Sequence, residues 1–562
     1  MFGWTGKALY IDLDTLSIKE RSIPQKILKD YIGGRGLGVK LYYDMVDPNI
    51  DPLSPENSLI FAVGPLTGVA PMSGRHAVVS KSPLTGTIFD SNSGGFWGKE
   101  LHYAGYDALI IYGRADRPVY VVINDDGCSI ENARELWGLN VDEVTVKLEK
   151  SGSVACIGQA GEKGVLYANI MNDLTHTAGR GGLGAIMGSK NLKAIVVRGR
   201  KKPQIANLED YKTAMKEMVR LLEASPPINK GLRVFGTSML FDIVNYLEVM
   251  PTDNFNASHF ANGERLSGNY IIESYEIASH GCWGCPINCK KVDKKRNIEL
   301  PEYETIWAFG PNLNNEDYEK IVDANVKCNR YGMDTITAGA TIALYKELTG
   351  ENYLERVEKI LDETVLSQGS KRLAEKFNAR DKSTDIKGLE LPGYDPRGLY
   401  GQALSYATSN RGGCHLRAYM VAPEIIGKPK LIHRLNPEGK AGLVVIFQNL
   451  NAAVDSLVLC KFTTFAMSEV EYAKLLSAVT GINYRSEDIL RAGERIYNLE
   501  RLFNIKTGFS GKDDTLPPKI FKGENALSRE EFEKMLQEYY EFREWVNGVP
   551  TEEKLRKLEI IE

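Results

Sequence analysis

Up to residue 203 the apolar positions alternate with polar ones or fall in short β-branched blocks. Such blocks are "KALYIDLD" (7–14), "SLIFAVGPL" (58–66), "HAVVSKS" (76–82), "YDALIIYGRA" (106–115), "PVYVVIN" (118–124) and "KAIVVRG" (193–199). Gly, Pro, Asn or Asp punctuates them, as expected of strands. "VVINDDGCSI" (121–130) predicts a hairpin around Asp126-Gly127. Few helical stretches intervene, so mostly antiparallel pairing is expected rather than a parallel α/β sheet.

The period changes after "GRKKPQ" (199–204). Asn207 is placed to cap a helix through "LEDYKTAMKEMVRLLEA", where apolar residues recur every three or four positions. Further helical stretches are "YEKIVDANVKCNRYG", "TAGATIALYKELTG", "YLERVEKILDETVLSQ", "KAGLVVIFQNLNAAVDSLVLC", "EDILRAGERIYNLERLFN" and "REEFEKMLQEYYEFREWV". The polar run "NARDKSTDIKG" (378–388) offers a second boundary. The expected fold class is α+β: a β-rich N-terminal domain (1–203) followed by two mainly α-helical domains (204–388 and 389–562). A chain of 562 residues exceeds what one core usually organises.

Composition narrows the function little. Hydrophobic content of 43% and charged content of 25% are those of a globular protein. A net charge of −4 gives no reason to expect nucleic acid or an anionic membrane as partner. No apolar run is long enough to span a bilayer. "MFGWTGKALYIDLD" reads as a strand rather than a signal peptide, so a cytoplasmic location is expected.

Eight cysteines are present, and a reducing compartment argues against a disulfide framework. Cys128 and Cys156 lie in strand-like segments and read as small buried apolar residues. "HGCWGCPINCKK" (280–291) is different, with Cys282, Cys285 and Cys289 spaced C-x2-C-x3-C. Structural zinc usually takes two C-x2-C pairs, and no second pair is near. Iron–sulfur clusters are commonly held by one compact run plus a distant cysteine. The spacing favours a cluster, with zinc or free thiols as alternatives. Cys328, Cys414 and Cys460 all remain open as the fourth ligand.

Three glycine-rich stretches, "YIGGRGLG" (31–38), "SNSGGFWG" (91–98) and "HTAGRGGLGAIMG" (176–188), match neither a P-loop nor a dinucleotide fingerprint. Together, two with an embedded arginine, they suit a large anionic ligand approached by backbone N–H groups and guanidinium donors. In the helical part, "NRYGMD" (329–334) and "DSLVLC" (455–460) share a faint pattern, each following a helix.

With these strings in view, the chain resembles the tungsten-containing aldehyde ferredoxin oxidoreductases. The resemblance is carried by "GPLTG", "KSPLTG", "MNDLTHTAGRGGLGAIMGSKNLKAI", "CWGCPINC", "PEYETIWAFG", "NRGGCH" and "ERIYNLERLFN", and so covers nearly the whole chain. It implies tungsten held by two pterins (tungstopterin), one [4Fe–4S] cluster and Mg2+. The β-rich domain would form the pterin-binding base and the helical domains its cover. It further implies oxidation of an aldehyde to a carboxylic acid, with electrons leaving to ferredoxin or a small iron–sulfur subunit. A carboxylate or aromatic thioester reductase subunit using the same cofactor is the alternative.

Position by position, the resemblance places the cluster on Cys282, Cys285, Cys289 and Cys460. It sets Arg75 between cluster and pterin, and the carbonyl oxygens of Asn92 and Ala178 on magnesium. Gly94, Gly179, Arg180, Asn329, Asp334, Arg417, Asp455 and Leu459 fall at pterin-contacting positions. Glu304 and His415 match the catalytic pair beside the metal, with Glu304 preferred to its neighbour Glu302. Some positions depart from the family pattern. Asn329 replaces an aspartate, Val458 a glycine that takes positive φ more easily, and Thr177 an arginine of one member. Asp323 and Val326 replace an E-x-x-H pair that bridges homodimers through iron, so no iron-bridged homodimer is expected.

Overall fold

The computed structural model describes residues 1–523 and 525–562. Its β-rich part holds two six-stranded sheets. Edge to edge, the first runs Ser17–Ser22, Lys7–Asp12, Ala108–Tyr112, Leu59–Ala62, His76–Lys81 and Ile88–Ser93. The second runs His176–Ala178, Ile170–Asn172, Ser153–Cys156, Leu192–Val197, Val119–Asn124 and Gly127–Asn132. Each sheet has one parallel pairing, Lys7–Asp12 with Ala108–Tyr112 and Val119–Asn124 with Leu192–Val197, and is otherwise antiparallel. The expected hairpin closes with Asn124 opposite Gly127, and Asn124 Oδ1 accepts from Asp126 N at 2.9 Å.

The central strands are apolar on both faces because both faces are covered, whereas the edge strands Ser17–Ser22 and Gly127–Asn132 are largely exposed. Leu9, Phe61, Val78 and Ile111 of the first sheet meet Val121, Ala155, Ile195 and Val197 of the second. On the outer face of the first sheet, Ile60, Val79 and Ile110 pack under the helices Gly34–Met45 and Ser486–Lys506. Behind the second sheet, Val154, Cys156 and Val196 face the helix Val141–Leu148.

Beyond Val197 the chain is mainly helical, as expected. Helix Lys440–Leu457 packs against Ser486–Lys506 so closely that a β-carbon on Gly493 would stand 1.8 Å from Asn449 O. Asn207 caps Leu208–Ala224 as predicted, its side chain accepting from Glu209 N and Asp210 N. The cysteine trio occupies the loop between strands Ile277–His280 and Lys290–Asp293 of a small three-stranded sheet. No helix among the described residues is long and apolar enough to cross a membrane.

Candidate active site

The edge strands Ile88–Ser93 and His176–Ala178 bring the two sheets to a cavity of about 410 Å³ under the helical part. Its volume falls in the range of cofactor and ligand sites. It is lined by all four cysteines named from the resemblance and by Arg75, Asn92, Gly94, Gly179, Arg180, Glu304, Asn329, Asp334, His415, Arg417, Asp455 and Leu459. Ala178 does not line it; the residue is fully buried between Thr177 and Gly179, which do.

The thiols converge from two directions. Cys285 N donates to Cys282 O at 3.0 Å, folding the trio's loop. Cys460 N donates to Met72 O at 3.1 Å, which fixes the distant cysteine to the β-rich floor. Burial pushes the Cys460 thiol up to about 12, opposed by Arg75 and assisted by Cys285 and Cys282. Burial raises Cys289 as well, with contributions from Glu302, Cys460 and Cys282. Such mutual effects require proximity. Cys328 stands apart, raised by burial and by Asp334. Among the described residues no three His, Cys, Asp or Glu groups close on a single ion position.

Arg75 stands beside the thiols. Its Nε donates to Asn92 Oδ1 at 2.9 Å and its Nη2 to Asn92 O at 3.2 Å. Gly94 is needed there, because a β-carbon would lie 2.7 Å from Cys282 Sγ and 3.2 Å from Arg75 Nη1.

Two turns deliver the remaining groups. Helix Tyr318–Tyr331 ends at Gly332 in the left-handed region (φ 78°, ψ 56°), and Met333 N reaches back to Cys328 O. Helix Lys440–Leu457 ends the same way at Val458 (φ 60°, ψ 34°), with Leu459 N on Val454 O. The faint sequence similarity is therefore a repeated helix stop. The expectation that Val458 would avoid positive φ is wrong. Tertiary packing holds a β-branched residue in that strained conformation, its Cγ2 set against Gly34 and Gly64.

Both turns bind arginine. Asp334 caps the helix Thr335–Thr349 through Ile336 N and accepts Arg180 Nε at 3.0 Å. Arg180 also donates to Gly413 O and Glu390 O. Asp455 meets Lys461 Nζ at 2.9 Å, Arg35 Nη1 at 3.3 Å and Arg417 Nη1 at 3.8 Å. Arg417 further pairs with Asp90, and Arg35 with Glu500 at 2.7 Å. Burial works against the Asp90 carboxyl's charge, but Arg417, Arg35 and Arg411 together hold it well below the usual carboxylate range.

On the helical side, His415 Nε2 is 3.6 Å from Glu304 Oε1, and Glu304 Oε2 accepts from Gly393 N at 2.9 Å. Burial raises the Glu304 carboxyl to about 8, so it holds its proton at neutral pH. Burial together with Arg180 and Arg411 keeps His415 neutral. Tyr394 and Tyr419 flank the imidazole, with ring centres 5.5 and 6.0 Å away. Glu302 instead sits at the N-terminus of helix Tyr303–Phe309 and pairs with Lys290 at 3.2 Å.

The cavity wall carries buried polar atoms without protein partners: Asn92 Nδ2, Asn169 Oδ1, Glu304 Oε1, Arg411 Nε, His415 Nδ1 and Arg417 Nε. Buried polar atoms rarely remain unpaired. Unpaired donors among arginines, beside glycine-thinned walls, fit a large anionic cofactor.

Sequence reasoning missed Arg35, Asp90, Arg411, Lys461 and Glu500. Of the three glycine-rich stretches, "YIGGRGLG" is not a cavity wall. Its glycines pack under the 455–458 turn, where a β-carbon on Gly34 would stand 2.5 Å from Asp455 O. Its Arg35 is bound by Glu500 of "ERIYNLERLFN". Repeated embedded arginines were the available signal, and pairing them with distant acids would have found the network.

The sequence models described as aldehyde ferredoxin oxidoreductase, N-terminal domain, and aldehyde ferredoxin oxidoreductase, domains 2 and 3, match residues 8–199 and 213–560. The chain is 41% identical to a tungsten-containing aldehyde ferredoxin oxidoreductase of Pyrococcus horikoshii, covering 99% of each. It is 30% identical to the WOR-like subunit of an aliphatic sulfonate oxidoreductase of Pyrococcus furiosus, over 100% of this chain and 97% of that one. Among solved structures, the active-site complex BamBC of benzoyl coenzyme A reductase superposes with a TM-score of 0.88. It is 25% identical, and the match covers 100% of this chain and 97% of that chain.

Proposed function

The chain belongs to the aldehyde ferredoxin oxidoreductase family and is an oxidoreductase, and from that premise we propose that it oxidises aldehydes to carboxylic acids at a bis-pterin tungsten centre. The observation that carries this reading is one cavity holding both the four-thiol group and the Glu304–His415 pair.

Cys282, Cys285, Cys289 and Cys460, which line one cavity with Arg75, would hold a [4Fe–4S] cluster. Arg180, Arg417, Asn329, Asp334, Asp455, Leu459, Gly94 and Gly179, which line the same cavity, would hold the pterins. Asn92 and Ala178 would offer carbonyl oxygens to magnesium, and Asn92 O accepts from Arg75 Nη2 at 3.2 Å. When bound, tungstopterin supplies an acceptor for the electron pair and the cluster a one-electron exit. In its ionised form Glu304 takes up the proton that water loses, at Oε1, which accepts no hydrogen bond from the chain. His415 orients the carbonyl oxygen, and Tyr394 and Tyr419 exclude bulk water around it. The electrons pass to ferredoxin or a small iron–sulfur subunit in the cytoplasm.

Anaerobic purification, elemental analysis and an aldehyde panel with a viologen dye test the proposal. Tungsten near one per chain, about four irons and dye reduction by aldehydes are expected. Zinc alone would overturn it. Reduction of an aromatic thioester in place of aldehyde oxidation would favour the alternative, to which the fold of the BamBC complex gives some weight.

A further inference from the structure

Strand His176–Ala178 ends the second sheet against the cysteine loop. His176 is buried, and its Nε2 lies 3.4 Å from Cys282 Sγ. The other ring nitrogen, Nδ1, is 3.2 Å from Thr175 Oγ1. A cluster-bound cysteine sulfur carries no proton, so this contact is attractive only with hydrogen on Nε2. The Thr175 hydroxyl favours that tautomer by donating to Nδ1.

The backbone around this pair is shaped for it. A β-carbon on Gly94 would stand 2.7 Å from Cys282 Sγ and 3.0 Å from His176 Cδ2. One on Gly95 would lie 3.2 Å from His176 Cγ. Asn172 Nδ2 donates to Gly94 O at 2.9 Å, and Asp173 Oδ2 accepts from Phe96 N at 3.0 Å. These bonds tie the glycine turn to the strand next to His176, so sulfur and imidazole meet without a barrier between them.

We propose that His176 is a positioning residue for the cluster, donating Nε2–H to the Cys282 sulfur and raising the cluster's reduction potential. The sign follows from charge: a donor aimed at a cluster sulfur stabilises the reduced, more negative cluster more than the oxidised one. A raised potential favours electron transfer from the pterin centre to the cluster. The inference rests on the cluster assignment above.

The test is a redox titration of the whole, anaerobically purified enzyme, followed by the paramagnetic resonance of the reduced cluster. His176→Leu is expected to shift the midpoint to a more negative potential and to abolish a hyperfine coupling that exchanges in D2O. His176→Gln keeps an N–H donor and is expected to shift it less. Thr175→Val is expected to give a smaller negative shift. Absence of iron from the parent protein would sink the cluster assignment and this inference with it. Iron retained, with the His176→Leu midpoint equal to that of the parent, would overturn this inference alone. Should His176→Leu fail to hold iron, Thr175→Val decides: a negative shift supports the role, and an unchanged midpoint refutes it.

Discussion

Residues 329–334 and 455–460 leave their helices by one route and deliver different chemistry. Each stops a helix with a residue in the left-handed region, Gly332 in one and Val458 in the other, and each sends its final residue to the cavity wall. The first turn ends in Asp334, a helix cap bound to Arg180 and close enough to Glu304 to raise its carboxyl. The second ends in Cys460 and carries Asp455, which is set among Arg35, Arg417 and Lys461. The backbone stop is thus reusable, and the side chains at its two ends decide what it holds. One turn borders the Glu304–His415 side of the cavity; the other borders the cysteines.

That division predicts different kinds of damage. On the first side, Glu304→Gln is expected to lower kcat by about 10²–10⁴ without lowering the melting temperature. The rate of the parent enzyme is expected to rise with pH through a midpoint near 8, because ionised Glu304 accepts the proton. Asp334→Asn removes a negative neighbour and should move that midpoint down. Stability carries the opposite slope. The folded value of about 8 lies above the ordinary 4.5, so the folded chain keeps a proton that the unfolded chain releases. This contribution is full below pH 4.5 and is lost as pH rises through about 8. Melting curves of Glu304→Gln should lack it.

On the second side, Asp455→Ala strips a buried carboxylate from three cations and is expected to cost about 3–5 kcal/mol, measured by denaturant unfolding. Equal losses of stability from Glu304→Gln and Asp455→Ala would break the division. The helix stops themselves come next. Gly332→Val forces a β-branched residue to positive φ, with its β-carbon 3.0 Å from Gly158 N. A loss of about 2–3 kcal/mol is expected from strain and crowding. The reverse change is smaller. Val458→Gly relieves about 1–2 kcal/mol of strain but removes a fully buried side chain, worth about 2–3 kcal/mol. A net loss near 1 kcal/mol is expected, and a gain in stability would show that packing against Gly34 and Gly64 contributes little.

The two turns also show what a sequence discloses. Their shared pattern was visible in "NRYGMD" and "DSLVLC" because a helix stop is local. The β-then-α order and the hairpin at 124–127 were legible for the same reason. The cysteine trio was visible by spacing, whereas Cys460 needed the family resemblance, since no local signal ties it to residues 282–289. The charge network was hidden because its partners, such as Arg35 and Glu500, are 465 positions apart. Val458 misled because propensity argues against positive φ there, and packing overrides it. His176 was passed over because its partner, Cys282, is 106 positions away.

The central claim is that residue 460 completes the thiol group begun at 282. The most direct measurement is the paramagnetic resonance of the dithionite-reduced protein carrying Cys460→Ser, beside one carrying Cys328→Ser. The account predicts a lost or altered cluster signal in the first and the parent signal in the second. An unchanged signal with Cys460→Ser, or a signal lost with Cys328→Ser, would contradict it.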